Sequence, residues 1–233
     1  LESIGQRSVN NVVDVTNFVL QELGQPLHAF DLNTLVEKRV VVRRARAGEP
    51  FEAIDGSQHQ LQDDMLVIAD ADRPVAIAGV MGGLETEVCD GTVDVLLEAA
   101  QFHPISVRQT SRTRKLFSES SFRFERGVDR DGVDVASRRA ASLIVELAGG
   151  QVARGVIHTG VDSPPLRTVG MRVLRCNQII GLKVSTQQMR EYLDRLGLAP
   201  MLSEDSSEVI CTIPSYRLDL HREIDLIEEV VRL

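Results

Sequence analysis

The sequence predicts a mixed α/β chain of the α+β kind, built as two domains, and three observations carry that expectation. Residues 39–100 alternate short apolar runs with turn signals, as strands do. Helical periodicity flanks this region on both sides. The stretch VDSPPLR, residues 161–167, then breaks the pattern with a proline pair, and hydrophobic patterning restarts after it. The expected domains are therefore 1–160 and 168–233, with 161–167 as a linker. At 233 residues the chain is long enough for one large domain or two of ordinary size, so the break rather than the length decides.

The first element is a helix in NNVVDVTNFVLQELGQPLHAFD, residues 10–31. Val12, Val13, Val15, Phe18, Val19, Leu20 and Leu23 recur at spacings that make one broad apolar face, and Gly24 is the expected stop. Thr16 and Asn17 thus lie among residues that favour burial. Gln25, Pro26 and His28 follow in a turn that brings an imidazole back toward the helix end. The strands come next: RVVVRRA, FEAIDGSQHQL with Asp55-Gly56 as its hairpin turn, MLVIAD, PVAIAGV and VDVLLEAA. One helix starts at Pro104, a residue suited to a first turn, and a second runs from about Asp131 to Ala148, stopped by Gly149-Gly150. A strand VARGVIH is expected to close the domain.

Beyond the linker the pattern predicts a short helix near Cys176 to Ile180 and a helix from about Thr186 to Leu196 capped by Ser185. A strand EVICTIP and a C-terminal helix from about His221 complete it. About three helices and a small sheet in so short a span match a winged-helix-like module.

The apolar runs are far too short to span a bilayer, so no membrane segment is expected. No secretory signal is visible, and LESIGQRSVN lacks an initiator methionine, so the chain reads as a piece of something larger. Cys89, Cys176 and Cys211 are widely spaced and odd in number, which argues against a disulfide framework and fits a reducing cytoplasm. A net charge of -8 excludes a generic nucleic-acid clamp, since such proteins usually carry a basic excess. Arg108, Arg112, Arg114 and Lys115 nevertheless cluster locally, as either a solvated helix face or an RNA contact.

Several constellations could carry chemistry. On spacing alone, caps or bridges for Thr16 and Asn17 and a satisfied histidine at His28 are the commoner outcome for a short motif. AGVMGG, residues 78–83, puts Gly79 and Gly82 after a strand, where glycine permits close backbone approach or a tight corner. It is no phosphate loop. Glu98 ends an apolar run, so it must pair with an arginine such as Arg123 or Arg126, or face a pocket and accept from a ligand hydroxyl. Ser118 and Ser120, in FSESSFRFERGVD, close a pocket or hold a loop. No arrangement suggests a covalent nucleophile. In the last helix Asp225, Glu228 and Glu229 share one face, with Asp219 just before it; hard oxygens of this sort suit Mg²⁺, or form a solvated acidic face.

Taken in order, VVDVTN, GQPLHAFD, AGVMGG, VLLEAA, RFERGVD and PSYRLDLHREIDLIEEVVR resemble successive blocks of the bacterial phenylalanyl-tRNA synthetase beta-subunit family and cover almost the whole chain. The resemblance implies a tRNA-editing domain, which in that family hydrolyses tyrosine wrongly attached to tRNA(Phe), followed by a winged-helix-like domain. It implies a pocket framed by Thr16, Asn17 and His28 and by Gly79 and Gly82. In that pocket Glu98 faces the amino-acid side chain, and Ser118 and Ser120 line the wall. At Ser120 the family often has a smaller residue, a departure that bears on pocket size. Catalysis would fall to His28, Asn17 and Thr16, with water as the attacking group. Asp219, Asp225, Glu228 and Glu229 match positions associated with Mg²⁺ near the contact with the alpha subunit.

The implied setting is a cytoplasmic enzyme of two alpha and two beta subunits that attaches phenylalanine to tRNA(Phe) with ATP, which this chain is not expected to bind. The alternative is a non-catalytic tRNA-binding and subunit-assembly module of the same enzyme. A winged-helix DNA reader is a third reading, and the acidic last helix opposes it.

Overall fold

The computed structural model describes residues 1–161 and 163–233, and these divide into two compact units, Leu1–His158 and Thr159–Leu233. Of the expected linker, residue 162 lies outside the described residues.

The first unit opens with α1 (Asn11–Leu23), which begins at Asn10, whose side chain accepts from the Val13 amide. It stops at Gly24, whose φ of 72° closes the last turn. The strands follow as β1 (Leu27–Asp31), β2 (Val41–Arg44), β3 (Pro50–Glu52), β4 (Gln58–Gln60), β5 (Leu66–Ala69), β6 (Pro74–Ile77), β7 (Met81–Gly82) and β8 (Val95–Ala99). Three further helices are α2 (Pro104–Arg114), α3 (Glu119–Phe124) and α4 (Gly132–Ala148).

The α+β character is as expected, but the strands form three separate ladders: β2-β5-β6-β7, β3-β4 and β1-β8. Every named pair among the described residues is antiparallel, so the strands of this unit make several antiparallel sheets. Short turns such as Asp55-Gly56 can join only antiparallel neighbours. The main core gathers Phe30, Phe51, Leu61, Met65, Ile77, Phe102 and Phe124 around the four-stranded sheet. A second cluster packs α1 against α4 through Val15, Val19, Ala136 and Ala140.

Two expectations fail here. Residues 152–158 form no strand: Val152, Val156 and Ile157 are exposed and Gly155 turns the backbone at φ 85°, so no neighbouring strand is there to pair with. The segment read as a loop around Ser120 contains α3. Its signal was a capping box, in which the Ser118 hydroxyl accepts from the Ser121 amide and the Ser121 hydroxyl accepts from the Ser118 amide.

The second unit comprises β9 (Arg167–Arg172), α5 (Val173–Ile180), α6 (Thr186–Arg195), β10 (Met201–Leu202), β11 (Glu208–Ile213) and α7 (Glu223–Val231). Three helices thus cover a sheet ordered β10-β11-β9. Strand β9 was missed at the sequence level; its alternation is carried only by Val169 and Met171, with Gly170 between them. The core includes Met171, Met189, Leu193, Val209 and Leu226 together with Cys176 and Cys211. All three cysteines are free thiols. Burial pushes the Cys211 thiol up to about 12, which suits packing and not reactivity.

Candidate active site

The site begins with a register. In the antiparallel pair β1·β8, His28 stands directly opposite Glu98, and directly opposed residues project from the same face of the ladder. Both side chains line a cavity of about 50 Å³, together with Gly79, Gly82 and Ser120 and the rings of Phe102 and Phe124. Residues some seventy positions apart in the chain are therefore gathered around one hollow.

Gln25 secures this register, and sequence reasoning did not assign it that task. It is buried, and its Nε2 donates to the carbonyls of Pro26 (3.0 Å) and Ala100 (2.8 Å). Since Leu27 pairs with Ala99, the Gln25 amide extends the ladder one step past its end. The available signal was an amide placed between a helix stop and a proline. Phe102 and Phe124 were also missed; they meet edge to face, with centroids 5.0 Å apart, and form one wall.

Glu98 is half-buried, and among the described residues no arginine reaches it. Arg123 is held by Glu119 and Gln21, and Arg126 by Glu125 and the ring of Phe122. Of the two explanations open at the sequence level, only the pocket-facing carboxyl is realised. Burial without a compensating cation pushes the Glu98 carboxyl up to about 8. The same burial pushes the His28 imidazole down to about 4, and its Nε2 is buried with no hydrogen-bond partner. At neutral pH both groups are therefore uncharged.

This has a measurable consequence for stability. The folded state holds the Glu98 proton more tightly than the unfolded chain, so Glu98's contribution is fully present below the ordinary carboxylate range and is lost as pH rises through about 8. Glutamine cannot ionise. The melting temperature of Glu98→Gln relative to the parent is expected to climb from about pH 5 and level off above about pH 8, and a flat difference would contradict the burial argument. His28 acts oppositely: its pKa is depressed, so its contribution is present above the ordinary histidine value and is lost as pH falls through about 4.

The two predicted glycines do different things. Gly82 lies beneath the His28 ring, where an added Cβ would sit 2.8 Å from Nε2 and closer still to Cε1. The ring is also held edge-on by Phe30 at 4.4 Å. Gly82→Ala is expected to displace the imidazole and to cost about 1–3 kcal/mol in unfolding free energy, as overpacking does. An unmoved His28 resonance by NMR would count against this contact.

Three predicted residues do not line the cavity. Thr16 is buried in α1, and its hydroxyl donates to the Val13 carbonyl at 2.7 Å. Asn17 is half-buried on the next position. Ser118 caps α3 and donates to the carbonyl of Val80 at 2.6 Å, which anchors the cavity wall rather than facing the hollow. A larger hollow of about 240 Å³, lined by Glu52, Arg73, Glu85 and Thr86 among others, lies elsewhere in the unit and holds none of the predicted residues. Of the two hollows, the smaller sets an acid without an ion-pair partner opposite an imidazole.

The acidic quartet does not assemble. Arg217 donates to both oxygens of Asp219 (2.9 and 2.7 Å) and to buried Glu229 (2.8 Å), which holds Asp219 below the usual carboxylate range. Asp225 accepts from the amides of His221 and Arg222 and caps α7, and Glu228 points to solvent. Among the described residues no three acidic, histidine or cysteine side chains stand together to hold a metal. In this arrangement arginine and backbone donors engage carboxylate oxygens of Asp219, Asp225 and Glu229 that the expected Mg²⁺ site would use.

Comparisons with known proteins agree with this division. Residues 1–149 match the B3/4 domain family and residues 169–233 the tRNA synthetase B5 domain family. Phenylalanine--tRNA ligase beta subunits from Syntrophotalea carbinolica and Rhodopirellula baltica are each 50% identical over all of this chain, which covers 29% and 34% of their lengths. The beta subunit from Moorella thermoacetica is 49% identical, again over the whole chain and 29% of its own length. The chain thus spans about a third or less of these relatives. A solved N-terminal fragment of the phenylalanyl-tRNA synthetase beta-subunit from Pyrococcus horikoshii aligns with 94% of this chain and 64% of its own, at TM-score 0.45 and 12% identity, too loosely to transfer anything.

Proposed function

Because the chain belongs to the phenylalanine--tRNA ligase beta-subunit family, with a B3/4 domain followed by a B5 domain, we propose that its first unit hydrolyses tyrosine from mischarged Tyr-tRNA(Phe). One observation carries the reading: an acid and an imidazole, directly opposed across β1·β8, share a cavity in which no arginine claims the acid.

Phenylalanine and tyrosine differ by one hydroxyl. A site that hydrogen-bonds this group can discriminate strongly, because an analogue without it leaves the buried partner unsatisfied. Glu98 supplies that partner: its carbonyl oxygen accepts when the carboxyl is neutral, and the ionised form accepts more strongly. His28 orients the attacking water on the aminoacyl carbonyl, and backbone amides of the Gly79–Gly82 corner stabilise the developing oxyanion. Asn17 and Thr16 then support α1 behind the site. At about 50 Å³ the hollow has room for only a few waters, so entry of a phenol ring requires the wall formed by Phe102 and Phe124 to yield.

The wider setting follows the same proposal: a cytoplasmic synthetase that attaches phenylalanine to tRNA(Phe) with ATP, with an alpha subunit as partner of this chain. No helix among the described residues is long and apolar enough to cross a membrane. Mg²⁺ is left out of the mechanism, since the proposed ligands do not fit it. The test is direct. The chain is incubated with Tyr-tRNA(Phe) and with Phe-tRNA(Phe), and release of tyrosine well above that of phenylalanine is expected. Equal or absent release would favour the other reading, a non-catalytic tRNA-binding and subunit-assembly module.

A further inference from the structure

We propose that the α2–α3 hairpin is a docking surface for single-stranded RNA, which leads a 3′ end to the cavity; this rests on the hydrolytic reading above. Residues 104–126 carry six cations against two carboxylates, in a chain of net charge -8. Arg108 and Arg112 follow helical spacing on one side of α2, Lys115 ends the helix in a left-handed conformation, and all three are exposed. Neither they nor Arg114 form an ion pair among the described residues, whereas Arg123 and Arg126 are taken by Glu119 and Glu125.

Aromatic rings complete the surface. Phe117 is 71% exposed and Phe122 is 53% exposed, and the Arg126 guanidinium already stacks 3.6 Å over the Phe122 ring. Unpaired bases stack on such rings, while bases inside a duplex keep their faces to one another. Cations along one helix beside open aromatic faces therefore select a single strand. The surface is also continuous with the cavity. On α3, Ser120 and Phe124 line the hollow, and Phe122, two residues from each, lies on the opposite side of the helix. Phe117 immediately precedes Ser118, whose hydroxyl is bonded to Val80 of the cavity wall.

The test is an anisotropy titration of this chain with a short labelled single-stranded RNA and with an RNA duplex of the same sequence, over a range of salt. The single strand is expected to bind more tightly. Arg108→Ala/Arg112→Ala should weaken it and flatten the logarithmic salt dependence by about 1.4, the share of two phosphate contacts. Phe117→Ala/Phe122→Ala should weaken binding roughly tenfold per ring with the salt dependence unchanged. These side chains are exposed, so unfolding midpoints should stay with the parent. Absence of binding, equal binding of the duplex, an unaffected aromatic variant, or equally effective competition by polyglutamate would each overturn the surface. Glu98→Ala should bind RNA as the parent does. RNA binding without tyrosine release sinks the hydrolytic reading and leaves the surface standing; release unaltered by the cation variant does the reverse.

Discussion

Replacing Glu98 with alanine is expected to lower release of tyrosine from Tyr-tRNA(Phe) by about a hundredfold, the worth of one hydrogen bond to a charged or strongly polar group at roughly 3 kcal/mol. The loss should fall on tyrosine alone. Hydrolysis of Phe-tRNA(Phe), already slow, gains nothing from the carboxyl, so the ratio between the two substrates collapses toward one. Glu98→Gln separates geometry from charge, because its amide oxygen still accepts while its charge is fixed at zero. With the parent, tyrosine release should rise as pH passes through about 8 and the carboxyl ionises; with glutamine that rise should vanish. Unchanged hydrolysis by the alanine variant would refute the pocket assignment outright. Alanine here also removes a buried acid, so the protein should remain folded and the result readable.

The second large effect is structural and concerns Gly79. Its φ of +70° lies in the left-handed region, and a Cβ there would sit 2.8 Å from Phe102 Cδ2, 3.0 Å from Val107 and 3.1 Å from Phe124. Two penalties coincide: backbone strain and overpacking into rings that are themselves buried. Gly79→Ala is expected to destabilise the first unit by about 3 kcal/mol or more. That corresponds to a fall of roughly 10 °C in its unfolding midpoint. Because the displaced rings form the cavity wall, tyrosine release should fall as well. A calorimetric change under about 1 kcal/mol would show that the corner is slack and that the close packing around Gly79 does not hold these rings in place.

The candidate site was only partly legible beforehand. Glu98 stood out because a carboxylate in VDVLLEAA has no business in an apolar run, yet the run says nothing about its partner. Arg123 and Arg126 were equally available in sequence; in the fold, Glu119 and Glu125, close to them along the chain, claim them first. Thr16 and Asn17 are adjacent to the motif that matters but ride on α1, and only β1 carries its side chain into the hollow. The acidic face read on α7 is split in the fold: Glu228 is exposed, Glu229 is buried and Asp225 caps the helix. Arg217, in the loop before that helix, could not be placed from spacing, and it neutralises two of the four carboxylates.

What the sequence determined by itself is local. Periodicity, caps and turn residues act within a few positions, so the apolar face of α1 and its stop at Gly24, the Asp55-Gly56 hairpin, the proline start of α2 and the glycine stop of α4 could all be read directly. Tertiary structure alone decided who meets whom. The register that sets His28 against Glu98, the amide of Gln25 that locks it, and the absence of a partner for VARGVIH depend on chain segments distant in sequence. Their association is settled by burial of the whole surface rather than by the residues at either end.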